Sequence, residues 1–371
     1  MTMVADPALE RVDPRGHLDE HAAEAVVGAD THRDTHTLEL LSARGASLAR
    51  TTVANTADGH GQALAWIQAH VPGMRVVAGV EGTRSYGAGL ARALTAGGVA
   101  VYEVEQPTRR ARRRGKSDMI DARLAARQVL EALENGNLAA LATPRVDGDR
   151  EALRILLRVR DELAVSKTRA VNQLRALLVT GSDTDRALNP RGGFTTAALE
   201  TIIRRRGSRG ETREQAVRRS EARRLATRVR ELERDVTAND TALREIVTDL
   251  VPGLLERRGV GPVSAAQAIV SWSHPGRCRN EAAFAMLAGA SPLDASSGRQ
   301  ERHRFNPGGD RALNRALHTI AVTRWKTCPR TQTYIARRRA SGKTNPEIRR
   351  CLKRYIAREL HKALTQGLHT P

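Results

Sequence analysis

The chain has 371 residues, a length typical of two or three domains, and 40% of them are hydrophobic. It carries 61 lysines and arginines against 41 aspartates and glutamates, a net charge of +20, and only six of the basic residues are lysines. Guanidinium groups are permanently charged and fit phosphate oxygens, so this composition indicates a polyanionic partner. The three cysteines form no CxxC pair and no apolar run approaches the ~18 residues of a membrane span, which argues against a disulfide scaffold, a zinc ribbon and a membrane protein.

The first predicted elements are a polar lead-in and three strands. Residues 1–21 are polar and acidic, which predicts a disordered segment rather than a signal or transit peptide. The stretch "AEAVVGADTH" is typical of a buried strand that ends at Asp30. The next stretch, "THTLELLSARGASLARTTVAN", predicts two further strands joined at a turn that contains glycine.

Helices and strands then alternate. A helix with Asp58 as its N-cap is followed by the apolar strand "MRVVAGVEGT", which ends at Glu81. A helix closed by glycine, the strand "VAVYEVE", a basic loop over 108–116 and a helix over 118–134 complete this part. The order β-β-β-α-β-α-β-α predicts an α/β domain over residues 22–145, a mixed sheet with helices on its faces.

The rest of the chain is predicted to be helical. Two long helices, over 147–180 and about 211–250, carry thin apolar stripes, which suggests a coiled-coil spacer over residues 146–250. An ordinary helical bundle fits the same pattern. Residues 251–371 form a predicted α-helical domain that ends in a basic amphipathic helix.

The charge is divided unevenly along the chain. Residues 1–107 hold 8 basic and 13 acidic residues, a net charge of −5, whereas the remainder holds 53 and 28, a net charge of +25. The electrostatic contact with a polyanion is therefore expected after residue 107. The loop "RRARRRGKSD" is the densest basic run, although such a run can also be merely solvated; its predicted phosphate-binding residues are Arg109, Arg110, Arg112, Arg113, Arg114 and Lys116.

Four carboxylates occupy the functional positions of the predicted α/β domain. Asp30 and Glu81 end two strands, and Asp118 and Asp121 begin the last helix three residues apart, on one face. Oxygen ligands of this kind hold Mg²⁺. Two such ions ~3.5–4 Å apart activate an attacking oxygen and stabilise a leaving one in phosphoryl transfer.

Each carboxylate also has an ordinary structural explanation. Asp30 can cap a turn, Glu81 can pair with Arg84, and Asp118 and Asp121 can favour a helix N-terminus. Their joint placement is what favours a metal site, with Mg²⁺ or Mn²⁺ as the ion. The histidines of "DTHRDTH", His32 and His36, are weaker candidates because histidines are common in exposed turns.

Two further motifs lie in the predicted helical domain. The stretch "RRGVGPVSAAQAI" has the G-x-G-P turn of a helix-hairpin-helix, in which backbone N–H groups near Gly259 and Gly261 would hold a DNA phosphate; a tight helical turn is the alternative. The stretch "GASPLDASSGRQERHRFNPGGDRALNRAL" contains Ser296 and Ser297 before a glycine. A serine hydroxyl among cations can attack phosphate, although Ser-Ser-Gly is more often a turn. The candidate phosphate-binding cations that follow the serines are Arg299, Arg302, Arg304 and Arg311.

Taken together, the motifs resemble those of a known family. The segments "VGADTHRDTHTLEL", "GVEGTRSYGAGLARAL", "GKSDMIDARLAA", "RGVGPVSAAQAI", "FAMLAGASPLDASSG" and "GGDRALNRALHTIA" stand in the order seen in the DEDD insertion-sequence transposases. That family includes bridge-RNA-guided recombinases and the invertase Piv. The resemblance covers residues from about 24 to 365 and implies a RuvC-like, RNase H-type domain, a coiled-coil spacer and a C-terminal transposase domain over 251–371.

The resemblance also implies residue roles and partners. The family's D-E-D-D tetrad falls on Asp30, Glu81, Asp118 and Asp121, and its catalytic serine on Ser297, with Ser296 adjacent. It implies serine attack on a DNA phosphate with Mg²⁺ or Mn²⁺ bound to the tetrad, a covalent phosphoserine link and strand exchange. It further implies a guide RNA encoded in the element, active sites shared between subunits of a homodimer or homotetramer, and work in the cytoplasm at the bacterial nucleoid.

Two positions depart from the family pattern. Arg84 stands in "EGTRSYG" where glycine is common, and "RRGVG" lacks the usual proline before its turn. Two other functions stay open on the residues alone. One is a metal-dependent nuclease that resembles a Holliday-junction resolvase and cuts with water; the other is a nucleic-acid-binding protein with a dead catalytic domain.

Overall fold

The computed structural model describes residues 23–104, 118–291, 293–294, 303–304, 306 and 308–367. The predicted disordered lead-in, residues 1–21, and the basic loop over 108–116 lie outside these residues. The described chain divides into two compact units. The first runs to Val146 and also contains His274–Arg277, and the second contains the rest.

The first unit is built on a five-stranded mixed sheet. The strands are β1 (Ala25–Thr31), β2 (Thr35–Ser42), β3 (Ser47–Ala54), β4 (Val76–Glu81) and β5 (Ala100–Val104), in the order β3-β2-β1-β4-β5. The pairs β1–β2 and β2–β3 are antiparallel, whereas β1–β4 and β4–β5 are parallel. Helices α1 (Ala57–His70), α2 (Ala88–Ala96) and α3 (Asp118–Glu134) complete the element order, so the predicted β-β-β-α-β-α-β-α arrangement is confirmed.

The period-two alternation of the strands divides their side chains between two faces of the sheet. Val27 and Ala29 pack in a core with α1 and α2, together with Ala78 and Val80 of β4. The residues between them face the other way, where Val26 and Val77 share a second core with α3. Even-numbered residues of β1 and odd-numbered residues of β4 therefore face α3.

Helix α3 lies directly against the sheet because two strand residues are glycines. A Cβ added at Gly28 would lie 2.0 Å from the carbonyl oxygen of Ala122, and one at Gly79 would lie 2.7 Å from that of Ala125. Toward the C-terminus of α3, Leu130 approaches Gly45 in the β2–β3 turn. A Cβ added at Gly45 would lie 3.3 Å from the Leu130 side chain. The helix thus runs antiparallel to β1, and its N-terminus points toward the carboxyl ends of β1 and β4.

Two long helices open the second unit. Helix α4 (Asp149–Val179) packs against α7 (Arg213–Leu250) in an antiparallel pair, with Lys167 Nζ 2.9 Å from Glu233 and Asn239 Nδ2 donating to the carbonyl oxygen of Leu156 at 3.0 Å. Between them in sequence lie the short helices α5 (Asp183–Ala187) and α6 (Thr196–Arg204). The predicted long helices are confirmed, whereas their supercoiling stays a prediction.

The remaining helices share one core with the ends of α4 and α7. They are α8 (Pro262–Trp272), α9 (Glu281–Leu287), α10 (Arg311–Thr327), α11 (Pro329–Ala340) and α12 (Asn345–Gly367). Trp272 and Phe284 are its largest fully buried side chains. Two strands of two residues each, β6 (Leu293–Asp294) and β7 (His303–Arg304), pair antiparallel.

Candidate catalytic site and nucleic-acid surfaces

Asp30 and Glu81 occupy equivalent positions on neighbouring parallel strands. Ala29 of β1 pairs with Val80 of β4, and each carboxylate is the next residue along its strand. By the alternation of the strands, both side chains face α3, at the carboxyl ends of the strands. Both are buried, with 4% and 9% of their surface exposed.

Asp121 approaches the same edge from the helix. It is 4% exposed and lies one turn before Ala125, whose carbonyl oxygen contacts Gly79. Because α3 runs antiparallel to β1, its first turn lies toward the strand ends that carry Asp30 and Glu81. Asp118 is the first residue of α3, as predicted, but its side chain lies outside the described part of the chain. The fold therefore brings three of the four predicted carboxylates to one face and one edge.

Neighbouring polar groups tie this edge together. His32 Nε2 lies 3.1 Å from Asp30 Oδ2, and the Thr31 hydroxyl donates to the Glu81 carbonyl oxygen at 2.8 Å, which links the ends of β1 and β4. The Glu81 carboxylate forms no ion pair or hydrogen bond with any other described residue. Across the described residues no three His, Cys, Asp or Glu side chains are gathered closely enough to hold a metal ion, so the four-carboxylate site stays a prediction.

The donor set nevertheless fits a hard divalent cation. Carboxylate oxygens are the ligands that Mg²⁺ prefers, and Asp30, Glu81 and Asp121 each offer them from a buried position. A fourth buried carboxylate on this face, Glu39, differs from Glu81 because it is paired with arginines. Glu39 of β2 is 1% exposed, but Arg50 and Arg123 lie 3.0 and 3.8 Å from its Oε1, so its burial is explained by ion pairs. This ion-paired group of Glu39, Arg50 and Arg123 was not predicted from the sequence.

The alternative pairing of Glu81 with Arg84 is wrong. The Arg84 guanidinium donates to Glu103 of β5 at 3.0 Å, and the Thr83 hydroxyl donates to the same carboxylate at 2.6 Å. Burial opposes ionisation of Glu103, but these hydrogen bonds together lower its pKa below the usual value. Arg84, one of the two departures from the family pattern, therefore fixes the loop that follows Glu81.

His36 lies away from the carboxylates. It belongs to the β2 residues that face α1, and its ring stacks on that of His60 at 5.3 Å between centroids and an interplanar angle of 9°. The two Nε2 atoms are 3.3 Å apart, and His60 Nε2 lies 3.1 Å from the side-chain amide oxygen of Asn55, Oδ1. Burial, first of all, lowers the pKa of both rings below 6.5. His36 is a packed core histidine on the face opposite Asp30.

The described residues on either side of Ser296 and Ser297 contact each other. Both serines, Arg299 and Arg302 lie outside the described residues, and Arg304 is described only by its backbone in β7. Where the segment begins and ends, Gly289 and Gly309 touch: a Cβ added at Gly309 would lie 2.4 Å from the Gly289 nitrogen. The Ser271 hydroxyl donates to Asp310 at 2.7 Å, and Asp310 caps α10 beside exposed Arg311.

The G-x-G-P turn leads directly into α8. Gly259 has φ +78°, and Gly261 is the N-cap of the helix. The Gly261 N–H donates to the Ser264 hydroxyl at 3.0 Å, so this donor is already used within the turn. The helix before the turn ends at Leu250, so the turn does not join two adjacent helices directly. The turn lines a groove of about 670 Å³ whose walls also carry Arg160 and Arg315, and phosphate binding there stays a prediction.

Two family models match the chain, one before and one after helix α7. The DEDD model of the IS110 group, described as a transposase, matches residues 27–181, and the model of the IS116/IS110/IS902 transposase family matches residues 253–336. This chain belongs to the IS110 family of DEDD transposases. The first match contains Asp30, Glu81, Asp118 and Asp121, and the second contains Ser297 and the G-x-G-P turn.

A curated relative of this IS110-family protein comes from Streptomyces coelicolor. It is the "Insertion element IS110 uncharacterized 43.6 kDa protein", 33% identical over 142 residues, which are 38% of this chain. The chain spans about a third, 35%, of that relative's length. None of the described helices of this IS110-family protein is long and apolar enough to cross a membrane.

Proposed function

We propose that the protein is the transposase of an insertion sequence and cleaves and exchanges DNA strands. The observation that carries this proposal is the placement of Asp30, Glu81 and Asp121 on one face and one edge of a RuvC-like mixed sheet. Three buried carboxylates at the carboxyl ends of parallel strands are suited to phosphoryl transfer. The family membership of both halves of the chain supports DNA as the substrate.

In this proposal Asp30, Glu81, Asp118 and Asp121 hold Mg²⁺ or Mn²⁺. The bound ions would polarise the scissile phosphate and activate the attacking oxygen. The chain itself contributes a closely packed floor to the site, because Gly28 and Gly79 allow α3 to lie on the sheet without intervening side chains. The hydrogen bond from Thr31 to the Glu81 carbonyl oxygen holds the two strand ends together.

Ser297 is the proposed nucleophile. Its Oγ would attack the scissile phosphorus, lose its proton, and form a phosphodiester to the 5′ oxygen of the downstream strand, while the 3′ oxygen of the upstream strand leaves and takes up a proton. In strand exchange a 3′-hydroxyl of the partner strand would attack this phosphoserine and release the serine. The glycine contact of Gly289 with Gly309 supports the proposal, since it holds both ends of the serine segment on the helical core.

The partners follow from the family. We propose an RNA guide encoded in the element, a homodimer or homotetramer whose sites combine the carboxylates of one subunit with the serine of another, and work at the bacterial nucleoid. The basic residues of 108–116 and of the region after residue 145 would bind the nucleic-acid backbones, since that part of the chain carries the positive charge.

The test is a covalent-adduct assay with the full-length protein and the RNA that co-purifies with it. Duplex DNA from the flanks of its own gene, labelled at the 3′ end downstream of the break, is incubated with Mg²⁺ and resolved on a denaturing gel. The wild-type protein and Ser296→Ala should form a labelled protein–DNA adduct. Ser297→Ala and Asp118→Ala should form none.

Mixing the two inactive variants tests sharing between subunits. Adduct should return on the Asp118→Ala chains alone, because these carry the intact serine. Adduct formed by Ser297→Ala by itself would reject this nucleophile. Mg²⁺-dependent cleavage without adduct in the wild type would favour a water-using nuclease, and nucleic-acid binding without cleavage would favour a dead catalytic domain.

A further inference from the structure

The last three helices concentrate the positive charge of the chain. Residues 324–362 contain 13 lysines and arginines and 2 acidic residues, a net charge of +11 out of +20, in about a tenth of the sequence. They also contain aromatic side chains, which are only 3% of the whole chain. The proposed cleavage and exchange steps assign no role to any individual residue of this region.

Arginines and aromatic rings are interleaved here. The guanidinium carbons of Arg337 and Arg338 lie 5.7 and 5.8 Å from the ring centroid of Tyr334, and the Tyr334 and Tyr355 rings meet edge to face at 5.7 Å. In the same region the guanidiniums of Arg339 and Arg349 lie 5.6 and 5.4 Å from the Trp325 centroid. Each contact holds a flexible arginine in one place, so less conformational entropy is lost when it binds a ligand.

Of these side chains, Tyr334, Arg337 and Tyr355 line a cleft of about 820 Å³ between α10, α11 and α12. Glu359 is the one carboxylate among its described lining residues, and Arg324 neutralises it through two hydrogen bonds of 2.7 and 3.0 Å. Arg330 and Arg337 also line the cleft, and neither forms an ion pair with any described residue. The cleft therefore has an uncompensated positive charge.

Tyr355 gives the cleft a second kind of contact. The side chain is 54% exposed although it lies on a helix whose other face is buried, and it lines the cleft. An exposed aromatic ring beside guanidiniums that form no ion pair with a described residue matches an unpaired nucleotide, whose base stacks on the ring while its phosphate binds the arginine. A base pair inside a duplex has no free face to offer.

We infer that this arginine–tyrosine cleft binds a single-stranded segment of nucleic acid, with Tyr355 as the stacking platform and Arg330 and Arg337 as phosphate ligands. The inference rests on the proposed function only in taking nucleic acid as the substrate class. It adds a binding site for unpaired nucleotides that is separate in sequence from the carboxylates, the serine segment and the G-x-G-P turn.

The test measures the affinity of the full-length protein for fluorescent 12-nucleotide oligo(dT), oligo(U) and a 12-base-pair duplex by anisotropy. Tyr355→Ala should weaken binding of the single strands ~5- to 150-fold, and Tyr355→Phe should retain it, because stacking needs the ring and not the hydroxyl. Duplex affinity should change less than twofold. The larger loss, on oligo(dT) or oligo(U), identifies DNA or RNA as the source of the strand.

Charge-matched variants separate the cleft from the general positive field. Arg330→Gln should lower the slope of log affinity against log salt for single strands by ~0.7, whereas Arg350→Gln, on the same helices but outside the cleft lining, should change affinity less than twofold. The inference would be overturned if Arg330→Gln and Arg350→Gln lowered single-strand affinity equally. It would also be overturned if Tyr355→Ala left single-strand affinity unchanged, or lowered duplex affinity as much as single-strand affinity. A 12-residue oligoglutamate that displaces the strands as well as unlabelled oligo(dT) would do the same.

These outcomes are independent of the adduct assay. If the wild-type protein forms no covalent adduct but Tyr355→Ala still weakens single-strand binding, the cleft inference stands and the proposed transposase chemistry is wrong. Photo-crosslinking of 4-thiouridine-containing oligo(U) gives a direct check, since the crosslinked peptide should come from residues 329–367. A crosslink confined to other peptides would contradict the cleft.

Discussion

Gly28→Ala should separate the helix that carries Asp118 and Asp121 from the strands that carry Asp30 and Glu81. The added Cβ would lie 2.0 Å from the Ala122 carbonyl oxygen and 2.3 Å from the Ala126 nitrogen. Both contacts are with backbone atoms, so no side chain can rotate away. Real Cβ atoms essentially never come closer than 3.0 Å to another atom, so α3 must move from the sheet by at least 1 Å.

Overpacking of this size costs ~1–3 kcal/mol. We expect amide exchange in α3 to become ~5- to 150-fold faster, measured by hydrogen–deuterium exchange and mass spectrometry on peptides of β1 and α3. Catalysis should suffer more than stability, because a displacement of ~1 Å at a reacting centre can cost ~100-fold in rate. Adduct formation should therefore fall even where the variant is folded.

Gly61→Ala is the matched control. Gly61 lies inside α1, is exposed, and has no atom within 4 Å of where its Cβ would be. This change should stabilise the helix by ~0.5–1 kcal/mol and slow exchange in α1, with the adduct unaffected. A Gly28→Ala protein with wild-type exchange in α3 and wild-type adduct formation would refute the backbone contact between α3 and β1.

Three further predictions concern other parts of the chain. Burial lowers the pKa of His36 and His60 below 6.5, so the folded state favours the neutral rings. The free energy of unfolding should be highest above pH 6.5 and should fall as the pH drops below that value. The urea midpoints at pH 7 and pH 5 should therefore differ less for His36→Gln than for the wild-type protein. A hydrogen bond from the Thr331 side chain lowers the pKa of the Cys328 thiol, so Thr331→Val should move the pH–rate profile of its alkylation to higher pH, and an unmoved profile would reject this cause. Asn239→Ala should cost ~0.5–1.5 kcal/mol in thermal or urea unfolding, because the hydrogen bond from the buried Asn239 side chain to the Leu156 carbonyl oxygen is lost, and an unchanged midpoint would contradict that hydrogen bond.

The sequence predicted the element order of the first unit because its signals are local. Alternating apolar residues and glycine turns mark each strand and helix, and Asp30 and Glu81 stand at strand ends that the pattern already identifies. Alternation also restricts each side chain to one of two faces. The placement of Asp30 and Glu81 at one edge then follows from the parallel pairing of β1 and β4.

Ion pairs between side chains of different strands and helices could not be predicted from local sequence patterns. The pairing of Glu39 with Arg50 and Arg123, and that of Arg84 with Glu103, depends on register and on helix placement, which no local pattern encodes. The histidines of "DTHRDTH" show why. His36 is one residue away from Thr37, the residue that pairs with Asp30, and this single step turns its side chain to the opposite face of the sheet. The arginine–tyrosine cleft was also missed, because its rings and guanidiniums are contributed by three helices.

The measurement that tests the account most directly is the location of bound metal. Crystals of the full-length protein grown with Mn²⁺ should give anomalous difference peaks in direct coordination with carboxylate oxygens of Asp30, Glu81, Asp118 and Asp121. An Asp121→Asn crystal should lose or weaken these peaks while α3 keeps its place on the sheet. Peaks that contact none of the four carboxylates, or side chains of the tetrad that point to separate regions in the presence of Mn²⁺, would contradict the catalytic site.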